Sequence, residues 1–134
     1  MAVTKIADIT TAVDRYTAVW RVTDPAERAK AVAELWTEDG VEYIDEVQYR
    51  GHAALTERVA EAHEAFVAGD AFIGSGGDDA TVHGDIVVFT LRLNHAHGDN
   101  AGELAWSARV FLVLDADGRV REDYQLTVRP LPAS

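Results

Sequence analysis

Val41, Tyr43 and Asp45 alternate directly after the segment Leu35-Trp36-Thr37-Glu38-Asp39-Gly40, and the alternation sets a single carboxylate on a strand face that is otherwise apolar. A buried, unpaired carboxylate is costly or takes up a proton. Desolvation in an apolar cavity would lift Asp45 towards the range in which a carboxylate accepts a proton from carbon beside a carbonyl, which makes it the candidate general base. The competing reading is a strand-end acid capped by backbone amides of the Glu46 to Arg50 loop. His63 follows Val59 by four residues at the edge of a helical apolar stripe and is a candidate second acid/base group, with His52 at a helix start a weaker one.

His95 and His97 share a strand face with Asp99 nearby, a set that can hold a divalent metal, but they run into the turn Gly98-Asp99-Asn100, where exposure is expected. No metal or other cofactor is expected. Gly74-Ser75-Gly76-Gly77-Asp78-Asp79 lacks the lysine and following helix of a phosphate loop and reads as a bend in a sheet. Ser75 and Ser107 have no recognisable nucleophile setting.

The elements that must position these residues are readable from periodicity. Ile9, Val13, Tyr16 and Trp20 form the stripe of a first helix. Asp24-Pro25-Ala26-Glu27 supplies an N-cap, a proline at the first helical position and a third-position acid for a second helix, which runs to about Trp36 and is stopped by Gly40. A short strand Val41 to Asp45 and the loop Glu46 to Arg50 lead to a third helix from His52, with the stripe Leu55, Val59, Ala62 and Phe66, closed at Gly69-Asp70. The second half alternates at period two, with strands near Ala71 to Val82, Ile86 to Ala96, Glu103 to Leu114 and Arg119 to Val128, joined as three hairpins. The expected architecture is an α+β domain in the order α-α-β-α-β-β-β-β, a curved antiparallel sheet wrapped around three N-terminal helices.

The 134 residues suffice for one domain, and 48% hydrophobic with 26% charged residues describe an ordinary globular chain. Twelve basic against 23 acidic residues give a net charge of -11, which opposes nucleic acid and anionic membrane as partners. With no cysteine, no thiol chemistry is available, and the cytoplasm is the expected compartment.

The order of Tyr16-Thr17-Ala18-Val19-Trp20, Asp24-Pro25-Ala26-Glu27-Arg28, Leu35 to Gly40, Tyr43-Ile44-Asp45, Gly51-His52-Ala53-Ala54-Leu55 and Leu114-Asp115-Ala116-Asp117-Gly118-Arg119-Val120 resembles the nuclear transport factor 2-like superfamily. The resemblance is to its SnoaL-like polyketide cyclase branch, which is itself similar to ketosteroid isomerase. It spans nearly the whole chain and implies a conical sheet around an apolar pocket, commonly in a homodimer. It also implies that Asp45 occupies the position of the isomerases' base and Tyr16 that of a donor to the enolate oxygen, with Tyr43, Tyr124 and Trp106 as substitutes. A second acid usual on the penultimate strand is replaced here by Val110.

Strand parity assigns the pocket lining to Val87, Phe89, Leu91 and Leu93, to Trp106, Ala108, Val110 and Leu112, and to Tyr124 and Leu126. Tyr16, Trp20, Trp36, Leu55, Val59 and Phe66 complete it from the helices, a cavity for a hydrophobic small molecule. Phe111, Val113, Val88 and Thr90 fall on the outer face and point to a homodimer through the sheet. The expected protein is a cofactor-free isomerase or cyclase acting on a hydrophobic carbonyl substrate. The alternatives are a non-catalytic binding or dimerisation module and an epoxide hydrolase, which would need two acids and an arginine in the bowl, whereas Arg92 and Arg109 have outward parity.

Overall fold

The computed structural model describes residues 6–67 and 71–131; the helix end expected at Gly69-Asp70 and the side chain of Ile9 fall outside what is described. Helix α1 (Ile6–Val19) turns through Trp20 into α2 (Pro25–Leu35). Asp24 caps α2 by accepting from the Glu27 amide at 2.9 Å, with Pro25 leading the helix as expected. Arg28, buried, donates to the carbonyls of Val22 and Thr23 and so fixes the α1–α2 turn.

Helix α2 ends without a linker, because Trp36 already has extended dihedrals and begins strand β1 (Trp36–Ile44). Gly40 is therefore not a helix stop. It sits in an irregular stretch of β1, where a Cβ would lie 3.0 Å from the Thr37 carbonyl oxygen and the Trp36 Cβ. The expected loop 46–50 is mostly a strand, β2 (Val47–Arg50), paired with β1 across the two-residue turn Asp45-Glu46. Helix α3 (Gly51–Ala62) runs into a π-helical turn, His63–Val67.

The expected long strand 71–82 is divided into β3 (Phe72–Gly76) and β4 (Thr81–His83), both pairing with β5 (Ile86–His95), and β6 (Leu104–Leu114) and β7 (Val120–Arg129) follow as antiparallel neighbours. The sheet order is β2-β1-β7-β6-β5-β3, and β1 joins β7 in parallel, so the sheet is mixed rather than wholly antiparallel. The parallel pairing sets the strand between α2 and α3 beside the last strand, with β2 at the sheet edge. Tyr16, Val19, Val32, Leu35, Leu55 and Val59 form the helical half of the core against Phe89, Val110, Leu112 and Val120. No helix among the described residues is long and apolar enough to cross a membrane.

The glycine-rich bend behaves as sheet structure. Gly77 has φ +89°, and a Cβ there would lie 2.6 Å from Val13 Cγ1 on α1. Its neighbours tie the bend to the outer sheet face: Asp78 pairs with Arg92, and Asp79 accepts from the Thr90 amide at 2.8 Å and from Arg109 at 3.0 Å. We predict that Gly77→Ala lowers unfolding free energy by about 2 kcal/mol, since strain and a clash of the added Cβ with the Val13 side chain add, whereas Gly84→Ala, with open space around it, loses only about 1 kcal/mol. Urea denaturation of both variants checks the difference; equal losses would remove the clash from the account.

Candidate functional site

Two strand irregularities decide which side chains enter the bowl. In β7, Leu114 pairs with Val120 but Val113 pairs with Glu122, so Arg121 is an extra residue and the inward phase shifts from even to odd numbers. Asp123, Gln125 and Thr127 consequently face in. In β1 the register slips between Trp36 and Val41, and Glu42 and Ile44 face in beside Asp123 and Gln125. Tyr43 and Tyr124 are both turned to the outer face and stack on each other at 4.9 Å. The expected inward parity of Val41-Tyr43-Asp45 and of Tyr124-Leu126 is corrected by these slips, while Leu91, Leu93, Trp106 and Val110 keep theirs.

Asp45 is exposed. It occupies the β1–β2 turn at φ 50°, a left-handed conformation that aspartate tolerates, and its two oxygens accept from the Thr127 amide at 3.1 Å and the Thr127 hydroxyl at 2.8 Å. The acid that the strand does bury is Glu42, with no exposed surface, directly paired with the equally buried Asp123. Tyr16 from α1 reaches both carboxyls, its hydroxyl 3.0 Å from Glu42 Oε2 and 3.1 Å from Asp123 Oδ1. Trp36 Nε1 donates to Asp123 Oδ2 at 2.6 Å, Gln125 Nε2 donates to the Tyr16 oxygen at 2.7 Å, and Arg58 Nε on α3 approaches Glu42 Oε1 at 3.4 Å.

Above this network lies a pocket of about 210 Å³. Ile44, Phe66, Leu91, Leu93 and Trp106 make its apolar wall, with Trp20 and Ala62, and Arg58, Gln125 and Thr127 supply its polar side. Of the expected lining residues it brings together Trp20, Phe66, Leu91, Leu93 and Trp106. Tyr16, Trp36, Val59, Phe89 and Val110 lie in the core that supports it, all without exposed surface. His63 is buried where α3 becomes the π turn, with Nδ1 unpartnered. His95 rests against Phe72 at 5.6 Å, and His97 is exposed.

No family model matches the chain, and no curated protein matches it. Solved structures do. A SnoaL-like family protein from Agrobacterium tumefaciens, named as an inferred isomerase, superposes at TM-score 0.75 with 19% identity, over 91% of this chain and 98% of its own. A Sinorhizobium meliloti protein named as an inferred polyketide cyclase gives 0.64 with 15% identity over 91% and 99%. A Catenulispora acidiphila protein with a ketosteroid isomerase-like fold, solved in complex with trimethylamine, gives 0.62 with 17% identity over 85% and 82%. The chain has the SnoaL-like fold.

Within this SnoaL-like bowl the penultimate-strand position is Val110, fully buried, and its Cα partner on β7 is Gln125. The interior's second acid comes instead from β7, as Asp123. Sequence reasoning missed Glu42, Asp123 and Gln125 because unbroken strand parity put them outside, and Arg58 because it lies off the apolar stripe of α3. The available signal was Val120, whose apolar character marks an inward position three residues before Asp123, an odd interval that demands a bulge.

Burial, then the charge of Glu42 beside it, pushes the Asp123 carboxyl well above the ordinary carboxylate range, while the Trp36 and Tyr16 hydrogen bonds pull the other way less strongly. Tyr16 is pushed up by burial and by both acids and keeps its proton. The Tyr16 hydroxyl is directed at both acids and Gln125 donates to its oxygen, while Arg58 flanks Glu42 from α3. At Asp123 the folded chain retains a proton that the unfolded chain releases near pH 4, so the associated stability is full below that pH and is lost as pH rises towards the folded pKa. We predict that as pH rises above the ordinary carboxylate range the wild type loses stability relative to Asp123→Asn at up to about 1.4 kcal/mol per pH unit, because asparagine offers the same donor and acceptor without titrating. Urea denaturation over a pH series checks it, and parallel pH profiles would contradict it.

Proposed function

We propose that this chain is a small-molecule-binding protein that takes an apolar ligand into the pocket between α3 and the concave sheet face. The pocket itself carries the reading: it is walled by Phe66, Leu91, Leu93 and Trp106, and its polar groups converge from one side as Arg58 and Gln125. Binding is preferred to catalysis at Asp45 because that carboxylate is exposed and both its oxygens are engaged by Thr127.

A second reading, cofactor-independent acid–base chemistry, is favoured by one observation. Two interior acids, a tyrosine and an arginine meet beneath the pocket, so a proton donor and an acceptor stand together, as isomerisation of a ketone or opening of an epoxide requires. In this reading Asp123 and Tyr16 are the donors and Glu42 the acceptor, reached by the substrate when Gln125 moves aside. A homodimer through the outer sheet face accompanies either reading, supported by Leu126, 46% exposed, and by half-buried Phe111 and Val113 on the same face.

Binding followed by tryptophan fluorescence tests the first reading. Leu91→Trp, which adds volume inside the pocket, is expected to weaken an apolar ligand at least tenfold, and Asp45→Asn to leave it within about twofold. The reverse pattern would return the site to Asp45. Turnover of an enolisable ketone or an epoxide that vanishes in Glu42→Gln would establish the second reading over the first. Sedimentation is expected to give a dimer that Phe111→Lys converts to monomer; a monomeric wild type would remove the dimer.

A further inference from the structure

The pocket holds two donors that the protein leaves unanswered. Trp20 is 9% exposed, lines the pocket, and its Nε1 is buried without a hydrogen-bond partner. A buried indole N–H ordinarily finds an acceptor, so its lack of one marks a place for an oxygen from outside the chain. The ring is held there by edge-on contacts with Tyr16 at 5.7 Å and Trp36 at 6.5 Å, which leave it little freedom to turn and satisfy itself elsewhere.

Arg58 is the second donor. Its guanidinium carbon lies 5.4 Å from the centre of the Trp20 ring and 5.7 Å from that of Tyr49, an aromatic bracket that fixes the plane of the fork. Nε is turned to Glu42 at a long 3.4 Å, and the two terminal nitrogens make no hydrogen bond to the described residues. Among the described residues, Arg58 is the one cationic side chain lining this pocket. A planar guanidinium with its terminal edge free matches a carboxylate better than any neutral oxygen, and apolar walls strengthen that pairing.

We propose that the ligand is an apolar carboxylic acid, bound as the carboxylate by the terminal nitrogens of Arg58 and the indole N–H of Trp20, with its hydrocarbon or aromatic body against Phe66, Leu93 and Trp106. The inference rests on the ligand-binding reading above and narrows it to one chemical class.

The test uses the full chain and matched probes: 2-naphthoate, 4-phenylbutyrate and decanoate, each beside its methyl ester, by calorimetry at neutral pH. The Trp20 indole signal, assigned through Trp20→Phe, is followed in parallel by proton–nitrogen correlation spectra. At least one acid is expected to bind tenfold or more tightly than its ester and to move the Trp20 indole proton downfield, and Arg58→Lys, which keeps the charge facing Glu42 but loses the fork, is expected to lower that preference several-fold. Esters binding as tightly as acids would overturn the carboxylate assignment and leave the apolar pocket standing. An acid preference without movement of the Trp20 signal would place the carboxylate elsewhere and overturn it equally. Absence of binding by every acid and every ester would overturn the pocket reading itself, and this inference with it.

Discussion

The pairing of Glu42 with Asp123 on adjacent parallel strands is the constraint around which the interior is arranged. Two neighbouring carboxyls with no exposed surface are costly to ionise together. The Asp123 carboxyl is accordingly pushed well above the ordinary range, and the pair takes partners from four elements: Tyr16 from α1, Arg58 from α3, Trp36 from the start of β1 and Gln125 from β7. Each contact satisfies a polar atom that would otherwise be stranded, and each also fixes an element. The network therefore sets the tilt of α1 and α3 over the sheet as much as the surrounding apolar packing does, in the way a fully satisfied polar cluster specifies one arrangement of a core.

The pocket inherits its polar side from that arrangement. Gln125 turns its amide nitrogen down to Tyr16, and Arg58 turns Nε down to Glu42, so both reach the pocket as the upper rim of the buried network. Trp20 is positioned by the same cluster of rings, packed edge-on against Tyr16 and Trp36. A change at the acids would consequently be felt by a ligand that never touches them, through the placement of Arg58.

Much of the fold was legible in the sequence because its signals are local. The Asp24-Pro25 cap, the stripes of α1 and α3 and the turns at Gly84, Gly98 and Gly118 each act within a few residues, and the structure places elements where they predict. The candidate site was less legible for a single physical reason. Side-chain parity is a running count, and one extra residue at Arg121, with the slip in β1, inverts it for everything downstream. Tyr43, Tyr124 and Leu126 were thereby read inward and Asp123 and Gln125 outward, and Asp45 took the place of Glu42. Strands β5 and the inner part of β6 pair without a slip from Ile86 to Leu93, and there the count held for Phe89, Leu91, Val110 and Trp106.

The most direct test is the ionisation state of the acid pair, read from the side-chain carboxyl carbon shifts of Asp123 and Glu42 in carbon-13-labelled protein, with Asp123→Asn assigning the signals. The account predicts an Asp123 carboxyl that holds its proton well above the ordinary carboxylate range. An Asp123 signal that titrates within the ordinary carboxylate range would contradict the raised acid, and with it the arrangement of Tyr16, Gln125 and Arg58 around the pair.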